Sequence, residues 1–384
     1  MIKIKTLNKI SKIGLAKFSN NYEVGSEIEN PVGILVRSEA MHEMRFNSEL
    51  IAIARAGAGV NNIPIDRCTK DGIVVFNTPG ANANGVKELV ICGLMLASRD
   101  IIGGAKWIST LEGDIKSQVE KGKGQFAGSE IKGKTLGILG LGAIGGMVAN
   151  TAIHLDMEVI GYDPYISIEN AWKLNHHISH ASGNDEVYSK SDYLTLHIPL
   201  TDETKGMINK DTISKMRDGV KILNFSRAEL VNFNDLKDAL ASGKVSSYVT
   251  DFPTNEIVGV KGVVTIPHLG ASTEESEDNC AVMAVSELMD YIENGNIKNS
   301  VNYPSVSTQR AGDLRICVLN ENVPDVISSI TKVLSNSGVN IENLSNKSKG
   351  GVAYTIFDIS GKLEDEALDD IAKINGIIRI RVIK

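Results

Sequence analysis

The chain is poor in cysteine. Cys68, Cys92, Cys280 and Cys317 are the only four in 384 residues, scattered through apolar or helical patterns. That fits reduced core residues of a cytoplasmic protein rather than a disulfide framework. Long apolar runs are missing too: none approaches the ~18 residues of a membrane helix. The N-terminus, MIKIKTLNKISKIG, is basic, but it has no long apolar core and no cleavage site, so it does not read as a signal peptide. Basic clusters are absent, and the net charge is −7, which argues against nucleic acid as a partner. A few placed arginines can still bind small anions. The composition that remains, 42% hydrophobic and 23% charged, is that of a soluble globular chain, long enough for two or three domains.

The most informative stretch runs from Lys134 to Pro164. Leu136 to Leu139 is an apolar run fit for one buried strand, and Gly140-Leu141-Gly142-Ala143-Ile144-Gly145 follows at once. A helical pattern runs to about His154. A second apolar run, Glu158 to Tyr162, ends on Asp163, 18 residues after Gly145. Strand, glycine turn, helix, strand and acid come in the order a dinucleotide site requires. Gly140 lets the chain turn sharply, Gly142 admits the pyrophosphate to the backbone, and Gly145 lets helix and strand pack closely. The helix N-terminus offers unpaired N–H groups to the phosphates. Asp163 suits the ribose hydroxyls, and no Lys or Arg lies between Gly161 and Asn170 to hold a 2′-phosphate, so NAD is expected over NADP. The plainer alternative for Asp163, before Pro164, is a turn starter.

Strand-like segments at 33–37, 51–55 and 74–76 precede a helix expected over 85–98. A polar, glycine-bearing stretch, 107–132, suits a surface crossover. Later strands are expected at 193–198, 221–225, 247–251 and 263–266. Such alternation implies a doubly wound parallel sheet with ligands at the strands' carboxyl ends. A helix follows over 274–293. Residues 294–312, rich in Asn, Ser, Gly and Pro, read as a linker. Residues 313–384 read as βαββαβ, the ferredoxin-like order.

Three side chains stand after strands of the dinucleotide unit: Arg227, Glu256 and His268. Oxidising a secondary alcohol needs a base for the hydroxyl proton, and His268 suits it. Glu256 could stabilise its imidazolium, and Arg227 could hold a substrate carboxylate. From the residues alone, a turn-capping His268, a surface ion pair at Arg227 and a solvated Glu256 fit equally well. The cluster His176, His177 and His180 has no cysteine partner, and no metal site is expected there.

Six motifs in order resemble the D-2-hydroxyacid dehydrogenase family over nearly all of residues 30 to 300. They are ARAGAGVNNI (54–63), GILGLGAIG (137–145), LTLHIPLTDETKGMI (194–208), NFSRAEL (224–230), DFPTNE (251–256) and IPHLGASTEES (266–276). The resemblance implies that Arg227, Glu256 and His268 are catalytic. It implies that His197 and Pro199 line the cofactor side of a cleft, with Ser226 and Gly270 beside the cofactor, and that Asp251 bonds the nicotinamide carboxamide. Ala228 departs from the family's usual glycine, and the Glu-to-His interval is short. The family pattern also implies a discontinuous outer domain, 1–97 with 272–300, around an NAD domain, 98–271. A linker, 301–312, and an ACT-like domain, 313–384, would follow. Dimers or tetramers are usual in the family.

Arg37 and Arg55 end two strands of the expected outer domain. They suggest a second anion beyond the carboxylate, such as a phosphate, while Ala58, Gly59 and Val60 could give amides to the carboxylate. The alternative is that the arginines pair with glutamates such as Glu39. The resemblance favours members of the family that take a phosphorylated 2-hydroxy acid, over other 2-hydroxyacid dehydrogenases and over an NADH-sensing corepressor that binds protein. In serine-regulated members the first ACT loop reads His-x-Asn-x-Pro-Gly. Here Asn322, Pro324 and Asn340 match, while Asn320 and Asp325 do not, so weak or absent serine inhibition is expected.

Overall fold

The computed structural model describes residues 1–384. Three sheets organise the chain. The first has β1 (Ile2–Thr6), β2 (Tyr22–Gly25), β3 (Gly33–Val36), β4 (Ala52–Arg55) and β5 (Val74–Phe76), all parallel, in the order β2-β1-β3-β4-β5. The second has β6 (Thr135–Leu139), β7 (Glu158–Tyr162), β8 (Ser179–His180), β9 (Tyr193–Leu196), β10 (Val220–Asn224), β11 (Val245–Thr250) and β12 (Val263–Thr265). Its order is β12-β11-β10-β9-β6-β7-β8, again parallel. The strand order reverses between β6 and β9, which is where a doubly wound sheet opens a crevice. The third is antiparallel: β13 (Leu314–Glu321), β14 (Asn340–Lys349), β15 (Val352–Ser360) and β16 (Ile377–Ile383), in the order β14-β15-β13-β16. With helices Val326–Asn336 and Asp365–Ala372 it forms the expected βαββαβ unit.

The chain divides into two compact units, Met1–Ala81 with Glu277–Lys384, and Asn82–Ser276. The family pattern places the breaks near 97/98 and 271/272 and sets the C-terminal sheet apart behind a linker. By its contacts, helix Ala83–Ser98 groups with the second of these units, where Gly93 lies against Phe225. The supposed linker is packed. Ile297, Tyr303 and Val306 are buried. Asn302 accepts from the Val75 amide at 2.9 Å and donates to Ile73 O at 2.9 Å, and the Tyr303 hydroxyl donates to Thr69 O at 2.6 Å. Its polar residues serve buried backbone groups that would otherwise lack partners.

The C-terminal sheet shares a core with the first sheet. Cys317, Leu319, Tyr354 and Ile356 pack with Phe76, Tyr291 and the buried face of helix Glu274–Asn294. Arginines cap that helix's last carbonyls: Arg381 donates to Tyr291 O at 3.1 Å and Ile292 O at 2.9 Å, and Arg315 to Asn294 O at 2.7 Å. Cations are favourable at this end of a helix. Arg315 also forks onto Asp358 at 2.6 and 2.8 Å, with both side chains fully buried.

One local expectation fails, and one gains detail. Cys92 is exposed, because it falls on the outer face of helix Ala83–Ser98, while the other three cysteines are buried. Residues 107–132 are not a plain crossover but hold helix Ile115–Gly122, with Asp114 accepting from the Ser117 amide at 3.2 Å. That cap supplies a start signal within a polar stretch.

Candidate active site

The nucleotide site begins at the turn after β6. Gly140 has φ +88°, and a Cβ there would lie 2.5 Å from His197 O. A Cβ on Gly145 would lie 1.9 Å from Gly140 O, so neither position tolerates a side chain. Around Gly142 nothing lies within 4 Å of where a Cβ would be, leaving open room at the backbone. Helix Ala143–His154 starts at Gly142 with no side-chain cap and no acid in its first turn. Its first amides are therefore free for an anion. Asp163 takes the Leu141 amide on one oxygen and the Tyr165 amide on the other, both at 2.9 Å. It thus fixes the glycine turn as well as ending β7.

His197 follows β9. Its Nε2 lies 3.0 Å from Thr195 Oγ1, and its amide donates to Leu139 O at 2.8 Å. Burial pushes its pKa down to about 3, so the ring stays neutral and cannot serve as a cation near pH 7. Pro199 O accepts from Thr204 Oγ1 at 2.7 Å. Ser226 Oγ donates to Ile198 O at 2.8 Å, tying the loop after β10 to the loop after β9.

The structure brings Arg227, Asp251, His268 and Gly270 together. Asp251 is buried and its Oδ1 has no partner. Burial raises its carboxyl, opposed by the His268 charge, the Gly270 amide and Arg227. A buried carboxylate oxygen without a donor is costly, and the nicotinamide carboxamide would supply that donor. This orphaned oxygen, the open Gly142 and the side-chain-free turn fit a bound dinucleotide. His268 is exposed, its ring tilted against Phe252 at 4.7 Å. Glu256 is not joined to His268 by a hydrogen bond or ion pair. It stands exposed in the 252–262 loop, beside Thr254, and the charge it feels is Lys237. The carboxylate facing His268 here is Asp251.

Sequence reading missed Asn224. It is fully buried at the end of β10 and donates to Arg227 O at 2.7 Å and to the Tyr248 hydroxyl at 3.1 Å. Its Oδ1 accepts from the Ser226 amide at 3.1 Å. One side chain thus holds the bend that presents Arg227; a buried Asn at a strand end was the available signal. Ala228 sits in a short 3-10 helix without positive φ, so the missing glycine brings no strain.

In the other unit, Arg37 follows β3 and Arg55 ends the adjacent strand β4. Arg37 pairs with Glu277 at 2.7 Å, not with Glu39, which accepts from Asn8. Arg55 donates from Nε to Arg37 O at 2.9 Å and has no carboxylate partner. Burial lowers its pKa, with Arg37 adding to the effect. The amides of Ala58, Gly59 and Val60 donate to no internal acceptor. In the C-terminal βαββαβ segment, Asp325 has φ +75°, the left-handed conformation that a glycine adopts without cost. The loop keeps that backbone while adding a carboxylate, which accepts from Ser328. The His176 and His177 rings lie 4.0 Å apart, tilted by 40°, and no group of His, Cys, Asp or Glu is placed to hold a metal.

A doubly wound sheet with this turn, and with a histidine and an arginine at its strand ends, defines a nicotinamide-dependent oxidoreductase. Residues 93–270 match the family described as D-isomer specific 2-hydroxyacid dehydrogenase, NAD binding domain. D-3-phosphoglycerate dehydrogenase of Escherichia coli K12 is 32% identical over 369 residues, covering 92% of this chain and 86% of that one. D-3-phosphoglycerate dehydrogenase 1 of Saccharomyces cerevisiae is 29% identical, covering 92% and 78%. Among solved structures, the NAD+-bound 3-phosphoglycerate dehydrogenase of Entamoeba histolytica superposes with a TM-score of 0.60 at 29% identity, covering 78% of this chain and 98% of that one. The chain belongs to the D-2-hydroxyacid dehydrogenase family, and its cofactor is NAD. No helix is long and apolar enough to cross a membrane.

Proposed function

We propose that the protein oxidises D-3-phosphoglycerate at C2 to 3-phosphohydroxypyruvate, the first reaction of L-serine formation. NAD, when bound, accepts the C2 hydride. His268 takes the hydroxyl proton, and Arg227 holds the substrate carboxylate and the oxygen that becomes the carbonyl. Asp251 supplies the negative charge that favours the imidazolium; Glu256 does so only when its loop turns inward. Arg55, with Arg37, takes the phosphate.

The observation that carries this reading is Arg55: half-buried, without a carboxylate partner, beside three free amides. A guanidinium in that state is built for an external anion. Relatives at about the 30% level that act on phosphoglycerate support it. One observation favours a second reading, an unphosphorylated 2-oxo acid such as glyoxylate: Arg37 is already engaged by Glu277. Arg55→Ala separates the two. Losing a charged hydrogen bond costs about 1.5–3 kcal/mol, so KM for 3-phosphohydroxypyruvate should rise ~10- to 100-fold, far more than for glyoxylate. Equal rises for both would make Arg55 structural.

A further inference from the structure

We propose that Glu277 is a specificity-determining residue, a built-in rival of the substrate's phosphate for Arg37 that sets the preference for phosphorylated over unphosphorylated substrates. The inference rests on the reading above that the substrate carries a phosphate. It starts from charge. Arg37 and Arg55 stand at neighbouring strand ends, close enough that Arg37 lowers the pKa of Arg55. Glu277 holds the Arg37 guanidinium at 2.7 Å. The three side chains therefore present one net positive charge rather than two.

The pair is made to open. Its side chains are 41% and 45% exposed, so water screens it and it is weak. The backbone behind Glu277 is fixed. The Ser11 hydroxyl donates to Asp278, the next residue. Ala281, one turn on, lies so close to Gly14 that a Cβ there would approach to 2.5 Å. The Glu277 side chain, 45% exposed, is free to swing. Cys280, also one turn on, is buried and lies among Thr78, Arg55, Arg37 and Glu277, which places these groups in one cluster.

A phosphate carries up to two negative charges and several acceptor oxygens, so it displaces one carboxylate from Arg37. It does so against a cost that a substrate without phosphate never meets. Glu277 thus weakens phosphate binding and leaves Arg37 neutralised when no phosphate is present. The residue acts on KM, because the competition is over before hydride moves.

The test compares wild type with Glu277→Gln, which keeps size and polarity. NADH oxidation is followed with 3-phosphohydroxypyruvate and with hydroxypyruvate, and inorganic phosphate is added as a competitor. The expected result is a several-fold lower KM for 3-phosphohydroxypyruvate, carried by KM rather than kcat. The ratio of kcat/KM between the two substrates rises several-fold, and phosphate inhibits at several-fold lower concentration. An unchanged ratio with unchanged phosphate inhibition overturns the inference and leaves the phosphoglycerate reading standing. If wild type shows no preference for the phosphorylated substrate, that reading fails. The phosphate competition then decides Glu277 alone: stronger in the variant supports the rivalry, and equal refutes it. A helix-stabilising role for Glu277 would shift thermal stability without moving the ratio.

Discussion

Glu287 should make this fold lose stability as pH rises towards 8. It lies within helix Glu274–Asn294 and is 8% exposed. Its Oε1 accepts from Asn299 at 2.6 Å, while Oε2 is buried with no partner. Burial pushes the carboxyl from 4.5 up to about 8, with the Asn299 bond pulling the other way. Below pH ~4.5 the group is protonated in folded and unfolded chains alike, and folding bears no penalty. Between there and pH ~8 the unfolded chain ionises while the folded one keeps its proton. Stability then falls by up to ~1.4 kcal/mol per pH unit. Above pH ~8 both states are ionised and the loss is complete, on the order of 3–5 kcal/mol. Glu287→Gln keeps the acceptor for Asn299 and removes the proton. Denaturant unfolding of both proteins, followed by circular dichroism at intervals from pH 5 to 9, reads the difference. The variant's relative stability should climb to about pH 8 and then level off. A difference that stays constant across that range would refute the argument.

Other outcomes follow from the site. His268→Ala should cut turnover by ~10²- to 10⁴-fold while NADH still binds; lost NADH binding, read by fluorescence titration, would remove its role as base. Gly145→Ala puts a methyl 1.9 Å from Gly140 O, so NADH affinity should fall at least tenfold or the unit should fail to fold. Wild-type affinity in that variant would mean the turn is not the pyrophosphate cradle. L-serine should inhibit weakly or not at all, given the Asp325 carboxylate at the left-handed position of the first C-terminal loop. Strong inhibition at sub-millimolar serine in a rate titration would contradict that.

The elements most legible in the sequence were those whose signal is local. Strands Val74–Phe76, Glu158–Tyr162 and Ile377–Ile383 lie where the apolar runs put them, and helix Ala143–His154 ends where its pattern fades. β1 was not legible, because Ile2–Thr6 alternates with lysine and reads as a basic tail until a sheet pairs it on both sides. Helix Ile115–Gly122 shows its apolar face with only two residues, Ile115 and Val119, and was lost in a polar stretch. Non-local partners left no trace in the sequence. Arg37 meets a glutamate 240 positions away, and Asn302 serves β5 from a segment composed like a linker. At the site, residue types and order pointed to Arg227, Glu256 and His268, and the family resemblance added Asp251 as a cofactor contact. That Asp251 and not Glu256 faces His268 depends on how the 252–262 loop turns, and its Gly, Pro and Thr content does not encode that direction.

The most direct test of the account is NADH absorbance with this protein and 3-phosphohydroxypyruvate, set against pyruvate, glyoxylate and 2-oxoglutarate. Rapid loss with the phosphorylated keto acid, and little with the others, is the predicted result. Loss with the unphosphorylated acids alone would keep the hydride chemistry and contradict the phosphate role of Arg55. No loss with any of them, despite bound NADH, would contradict the assignment of His268 as the proton-transfer group of a dehydrogenase.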